Sequence, residues 1–205
     1  MPTKGERTKA HIVATAAPIF NERGFVGTSL NDILAATGLE KGGIYRHFES
    51  KDELAVAAFD YAVKMLQARQ RRALEKAGTA LERLYACIDV FGSSLTQPAL
   101  RGGCPMLNTA IDADDTHPAL RERARRAVAQ WQQLIVDIAE EARANGELGA
   151  ATNPDVLASV ITSSLEGAIM ISRLLRDARH MDRVVAHLRA VLKSYETPTS
   201  AVVAR

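Results

Sequence analysis

The chain of 205 residues is 47% hydrophobic, 24% charged and 5% aromatic, with 13 Gly and 7 Pro. These proportions exclude a disordered or fibrous chain, allow a real apolar core, and favour helix over sheet. A net charge of +2 is too mild to identify a polyanionic partner by itself.

Every long periodic segment has helical spacing. Ile12, Ala16, Ile19 and Phe20 share one face of a first helix over 6–23, which Gly24 ends. Thr28 is expected to cap a short second helix with Leu30, Ile33 and Leu34 inward, stopped by Gly38. A third segment, 41–48, carries Ile44 and Phe48 four residues apart. Ser50-Lys51-Asp52-Glu53 reads as a capping box that starts a longer helix towards Glu75. Gly78-Thr79 marks the next break. Helices then follow over 79–95, from Pro105, from Pro118 to Asn145-Gly146, from Pro154 to Arg176 and over 181–195, the Pro starts being harmless at N1. The tail from Thr197 is expected to fray. The expectation is an all-α protein of about nine helices: a head over 1–55, joined by the helix over about 51–75, and a helical body over 56–205.

Three short helices separated by Gly-containing turns, the third both basic and aromatic, form a helix-turn-helix pattern. In such a unit the third helix lies in the major groove. Lys41-Gly42-Gly43 puts two residues without side chains in its first turn, at a cost of up to ~1 kcal/mol each against Ala, which points to a steric demand there. Tyr45, Arg46 and His47 project opposite Ile44 and Phe48. A tyrosine hydroxyl and an imidazole can hold phosphate oxygens, and arginine suits a guanine edge.

The run GFVGTSLNDILAATGLEKGGIYRHFESKDEL, 24–54, resembles the DNA-binding domain of the TetR family of transcriptional regulators. The matching features are its GF-x-x-T start, its DIL-x-x-TG helix and turn, its KGGIYRHF third helix and its SKDEL start to helix four. The resemblance is dense over about 6–55; beyond that, the helices agree in number, length and order. It implies DNA contacts by Thr28, Ser29, Lys41, Gly42, Gly43, Tyr45, His47 and Lys51, with Arg46 as candidate base reader. Two departures stand out. Glu40 occupies the capping position where the family usually has Ser or Thr, and Pro18 lies inside the first helix, where it forfeits a hydrogen bond and favours a kink.

The resemblance also implies a body that binds a small-molecule effector and dimerises. Tyr85, Phe91, Cys104, Met106, Trp131, Met170 and Leu174 are the effector-pocket candidates. The helix over 156–175 is apolar nearly all round, which requires cover on two sides. With the last helix it offers Leu157, Ile161, Leu165, Ala168, Val184, Leu188 and Val191 as a homodimer seam. A dimer places two reading helices about 34 Å apart and so predicts a palindromic double-stranded operator.

Cys104, after Arg101-Gly102-Gly103 and before Pro105, is also a candidate sensor of electrophiles or oxidants, set against the plainer reading of a small buried hydrophobe. Cys87 reads as core. Neither cysteine belongs to a CxxC pair, which suits free thiols in a reducing cytoplasm. Asp112, Asp114, Asp115 and His117 precede Pro118 and read as a helix cap rather than a metal site. No cofactor is expected. A rival reading is a helical enzyme with Cys104 as nucleophile and His117 as base, which leaves the 24–54 pattern unexplained. Charges through MPTKGERTKAHIV leave no apolar stretch for a secretory signal, and polar residues interrupt 156–175, so no membrane anchor is expected.

Overall fold

The computed structural model describes residues 1–198, so all but the first two residues of the expected frayed tail lie outside the described residues. Among the described residues there are nine α-helices: α1 (Lys4–Gly27), α2 (Leu30–Thr37), α3 (Lys41–Tyr45), α4 (Lys51–Leu74), α5 (Ala80–Gly92), α6 (Pro105–Ala113), α7 (Pro118–Ala144), α8 (Pro154–Leu175) and α9 (Arg179–Ser194). The helix ends follow local chemistry. Capping boxes start α1 (Thr3 with Glu6) and α5 (Thr79 with Glu82), and Asn153 accepts the Asp155 and Val156 N–H groups at the start of α8.

The break expected in the first helix falls at Gly24, whose φ of 74° lies in the left-handed region, and not at Pro18. A further turn, to Gly27, follows the break. Thr28 does not cap α2. Ser29 does, because Asp32 stands three residues later and completes a capping box with it.

The chain divides into two compact units. Among the described residues, one unit comprises 1–69 and 94–129, and the other 70–93 and 130–198. In the first, Ile12, Ala16, Ile33, Ile44, Phe48 and Leu54 are buried together, so α1 to α4 share one core. Helix α6 packs on α1 in the same unit. Asn108 Nδ2 donates to the Asn21 carbonyl (3.0 Å) and to the Gly102 carbonyl (2.8 Å), and Asn21 Nδ2 donates to the Arg101 carbonyl (2.6 Å). Gly102 is required here: at φ 103°, a Cβ would lie 2.8 Å from the Asn21 backbone.

In the second unit α9 packs on α8 and α5. Leu84, Ile88, Ile135, Leu157, Ile161 and Leu165 are buried at its centre. Helix α8 is long and apolar enough to cross a membrane by length and composition alone, but 44% of its most apolar window is buried within the protein. Its Leu157, Ile161, Leu165 and Ala168 face that core, whereas Val156, Val160, Met170, Ile171 and Leu174 are exposed.

Candidate nucleic-acid interface

Helices α2 and α3 are joined through Gly38, which closes α2 in the left-handed conformation (φ 68°) and donates its N–H to the Leu34 carbonyl. Ile44 and Phe48 are each 2% exposed and fix α3 and the turn after it to the core. That anchoring decides what the other side presents. Lys41, Gly42, Tyr45 and Arg46 are exposed, and Gly43 and His47 are half-buried. Lys41 Nζ lies 5.8 Å from the Tyr45 ring centroid, so charge and hydroxyl occupy one small patch. A Cβ built on Gly42 meets nothing within 4 Å, so no packing inside the chain calls for glycine there. Glu40 is the N-cap of α3 but makes no side-chain capping bond.

The flanks of this patch are rigidly organised. The Ser29 hydroxyl and N–H both donate to the Asp32 carboxylate, and the Arg23 guanidinium lies 2.6 Å from it. These bonds, led by the Ser29 hydroxyl, hold the Asp32 carboxyl down at about 2. Thr28, by contrast, is 0% exposed and its hydroxyl donates to the Gly24 carbonyl (2.7 Å). The Thr28 side chain thus fastens the end of α1. Lys51, in the first turn of α4, sits with its Nζ 4.2 Å from the Phe25 ring centroid.

Two family models match the chain. That for bacterial regulatory proteins of the tetR family covers residues 12–58. That for the tetracyclin repressor-like C-terminal domain covers residues 80–188. The chain belongs to the TetR family. A TetR transcriptional regulator from Chloroflexus aurantiacus J-10-FL is similar in structure, with a TM-score of 0.91 and 44% identity over 94% of this chain and 98% of that one. An uncharacterised HTH-type transcriptional regulator of Mycobacterium tuberculosis is 31% identical over 90% of this chain and 93% of its own length. The HTH-type transcriptional repressor DhaR of a Mycobacterium species, strain GP1, is 25% identical over 92% and 94%. As a TetR-family member, this chain is a DNA-binding transcriptional regulator with an N-terminal helix-turn-helix domain.

The effector-pocket candidates of this TetR-family chain are distributed over both units. Tyr85, Phe91, Trp131, Met170 and Leu174 belong to the second unit, and Cys104 and Met106 to the first. Met170 and Leu174 are 48% and 77% exposed in the single chain, on the outer face of α8. Phe91 and Trp131 do come together, stacked with ring centroids 4.1 Å apart. The buried Trp131 Nε1 has no hydrogen-bond partner among the described residues. The Tyr85 hydroxyl donates to Glu196; burial first, then this carboxylate, pushes the phenol up to about 12. Cys104 is 3% exposed at the N-cap of α6, and burial pushes the Cys87 thiol up to about 11.

The dimer candidates differ in exposure within the single chain. Leu157, Ile161, Leu165, Ala168 and Leu188 are at most 4% exposed, because they pack inside their own unit. Val184 and Val191 are half-buried on α9.

The acids before Pro118 part company. Asp112 Oδ2 accepts the Phe25 N–H at 2.6 Å, and His117 Nδ1 accepts the Leu120 N–H at 3.2 Å, capping α7. No grouping of metal-ligating side chains occurs among the described residues. Asn21, Asn108 and Asp112 are the residues that sequence reasoning missed as partners of the head. Their only local signal was polar side chains on otherwise apolar helix faces.

Proposed function

We propose that this regulator is a repressor that binds a palindromic operator as a homodimer and is released by a small apolar or electrophilic effector. The observation that carries the reading is the third helix, fixed from inside by Ile44 and Phe48 while Lys41, Gly42, Tyr45 and Arg46 face outward. In this reading α3 enters the major groove. Arg46 meets a guanine edge, Tyr45 and His47 hold phosphate oxygens, and Lys41 and Lys51 add charge. The open side of Gly42 and the small Gly43 let the backbone approach the duplex. Ser29 contributes less, since its hydroxyl and N–H already serve Asp32.

The outward stripe of α8 supports dimerisation. Val156, Val160, Ser163, Met170 and Leu174 follow one another at helical spacing and are all exposed. Gly167 lies in the same row with open space where a Cβ would stand. Two such stripes packed together would bury an apolar face that a single chain leaves in water. In the body, the Phe91–Trp131 stack and the partnerless Trp131 Nε1–H suit an apolar effector carrying one hydrogen-bond acceptor. Release is a population shift: the effector acts only through its differential affinity for the two conformations. The name of DhaR, a repressor, supports the direction of control.

Selection of bound fragments from genomic DNA tests this reading. An inverted-repeat site should be enriched, and Tyr45→Ala should lower affinity for it by about tenfold or more, in line with loss of a charge-assisted contact. Equal, poor affinity of wild type and variant for all fragments would overturn it.

A further inference from the structure

Phe25 lies between the head and the segment that joins α6 to α7. Its N–H donates to Asp112 Oδ2 at 2.6 Å. Gly24, just before it, is pressed against the same carboxylate: a Cβ there would lie 2.7 Å from Asp112 Oδ1. The Phe25 ring meets the buried His117 ring edge to face, with centroids 4.6 Å apart and an interplanar angle of 85°. Lys51 Nζ stands 4.2 Å from the centroid of the Phe25 ring. One aromatic side chain is therefore gripped by α6 at its backbone and by the N-cap of α7 at its ring, and carries a lysine as well.

The packing around this junction is close. The cavity lined by Phe20, Asn21, Phe25, Asn108 and Asp112 is about 30 Å³, room for a water or two. Phe25 is thus tied to Asp112 by a short hydrogen bond and to His117 by ring contact. A lysine side chain is otherwise long and mobile, and an aromatic face within about 6 Å restrains it through the ring quadrupole. Asp52, next to Lys51, completes the contact from the other side, its Oδ2 lying 3.7 Å from His117 Nε2.

We propose that Phe25 is a positioning residue for DNA binding: it presents Lys51 to the operator backbone, and Asp112 and His117 set its place from outside the helix-turn-helix. The proposal rests on the reading of Lys51 as a phosphate contact. Operator affinity then depends on where the end of α6 and the start of α7 stand, through a side chain that touches no DNA.

A double-mutant cycle on the full-length protein with its selected operator tests this, read by fluorescence anisotropy across salt. Lys51→Ala should weaken binding and reduce the slope of log affinity against log salt by about one per head. Phe25→Leu should weaken binding about fivefold in the Lys51 protein and less than twofold in the Lys51→Ala protein, because the side chain it positions is gone. Asp112→Ala should behave in the same way, and Phe25→Tyr, which keeps the ring face, should bind as wild type does. Thermal melts accompany each variant, and Phe25→Met replaces Phe25→Leu if the latter does not fold. Should Lys51→Ala leave affinity and slope unchanged, the phosphate reading of Lys51 fails and the positioning role falls with it. Should Lys51→Ala act as expected while Phe25→Leu costs the same factor in both backgrounds, Phe25 is only a packing residue and the positioning role alone is overturned.

Discussion

Gly42 is the residue whose local cost is easiest to weigh against a role outside the chain. It occupies an exposed helical position, and a Cβ there would meet nothing within 4 Å. Alanine should therefore stabilise the protein by about 0.5–1 kcal/mol, since glycine loses more backbone entropy on helix formation. In the operator complex the added methyl group would stand between α3 and the groove. Gly42→Ala should then melt higher than wild type yet bind the operator more weakly. Calorimetry and anisotropy on one preparation check both halves. At this scale the cap of α2 was legible but assigned one residue early, to Thr28. Either Thr28 or Ser29 can cap a helix, and the position of Asp32, three residues after Ser29, assigns the role to Ser29 and frees Thr28 to fasten the end of α1.

At the level of the elements, helix starts and stops were legible because caps are local chemistry. Gly24 breaks α1 and Gly38 ends α2, both in left-handed conformations, and Pro105, Pro118 and Pro154 begin their helices. The face of α8 was not legible. Leu157, Ile161 and Leu165 face inward while Val156, Val160 and Leu174 face out, and hydrophobic periodicity cannot rank two apolar faces of one helix. The Asp112–Phe25 bond was equally invisible, because it joins residues 87 apart in the chain. Close helix crossings carry their own test. A Cβ on Gly92 would lie 2.7 Å from Val185 Cγ2, where α5 meets α9. Gly92→Ala should cost about 1–3 kcal/mol by overpacking, despite the better helix propensity of alanine. Urea unfolding with an unchanged m-value and a lower midpoint is the expected result.

For the whole molecule, a near-neutral regulator cannot rely on bulk charge, and the net charge of +2 makes non-specific affinity modest. In the proposed homodimer, duplication of the α3 patch would supply the rest. Val160 and Leu174 stand on the outer stripe of α8, 42% and 77% exposed in the single chain. A Val160→Glu, Leu174→Glu double variant should therefore keep its helical content and lose its partner. Sedimentation should show a monomer, and operator affinity should fall by two orders of magnitude or more, because two linked heads bind far more tightly than one.

Hydroxyl-radical footprinting of the selected operator with the full-length protein tests the dimeric α3 reading most directly. Two protected patches related by a dyad and centred about one helical turn apart, roughly 34 Å, are the expected result. Both should be lost together in the Val160→Glu, Leu174→Glu variant. A single patch, or protection with no dyad, would contradict a homodimer that reads its operator through two copies of α3.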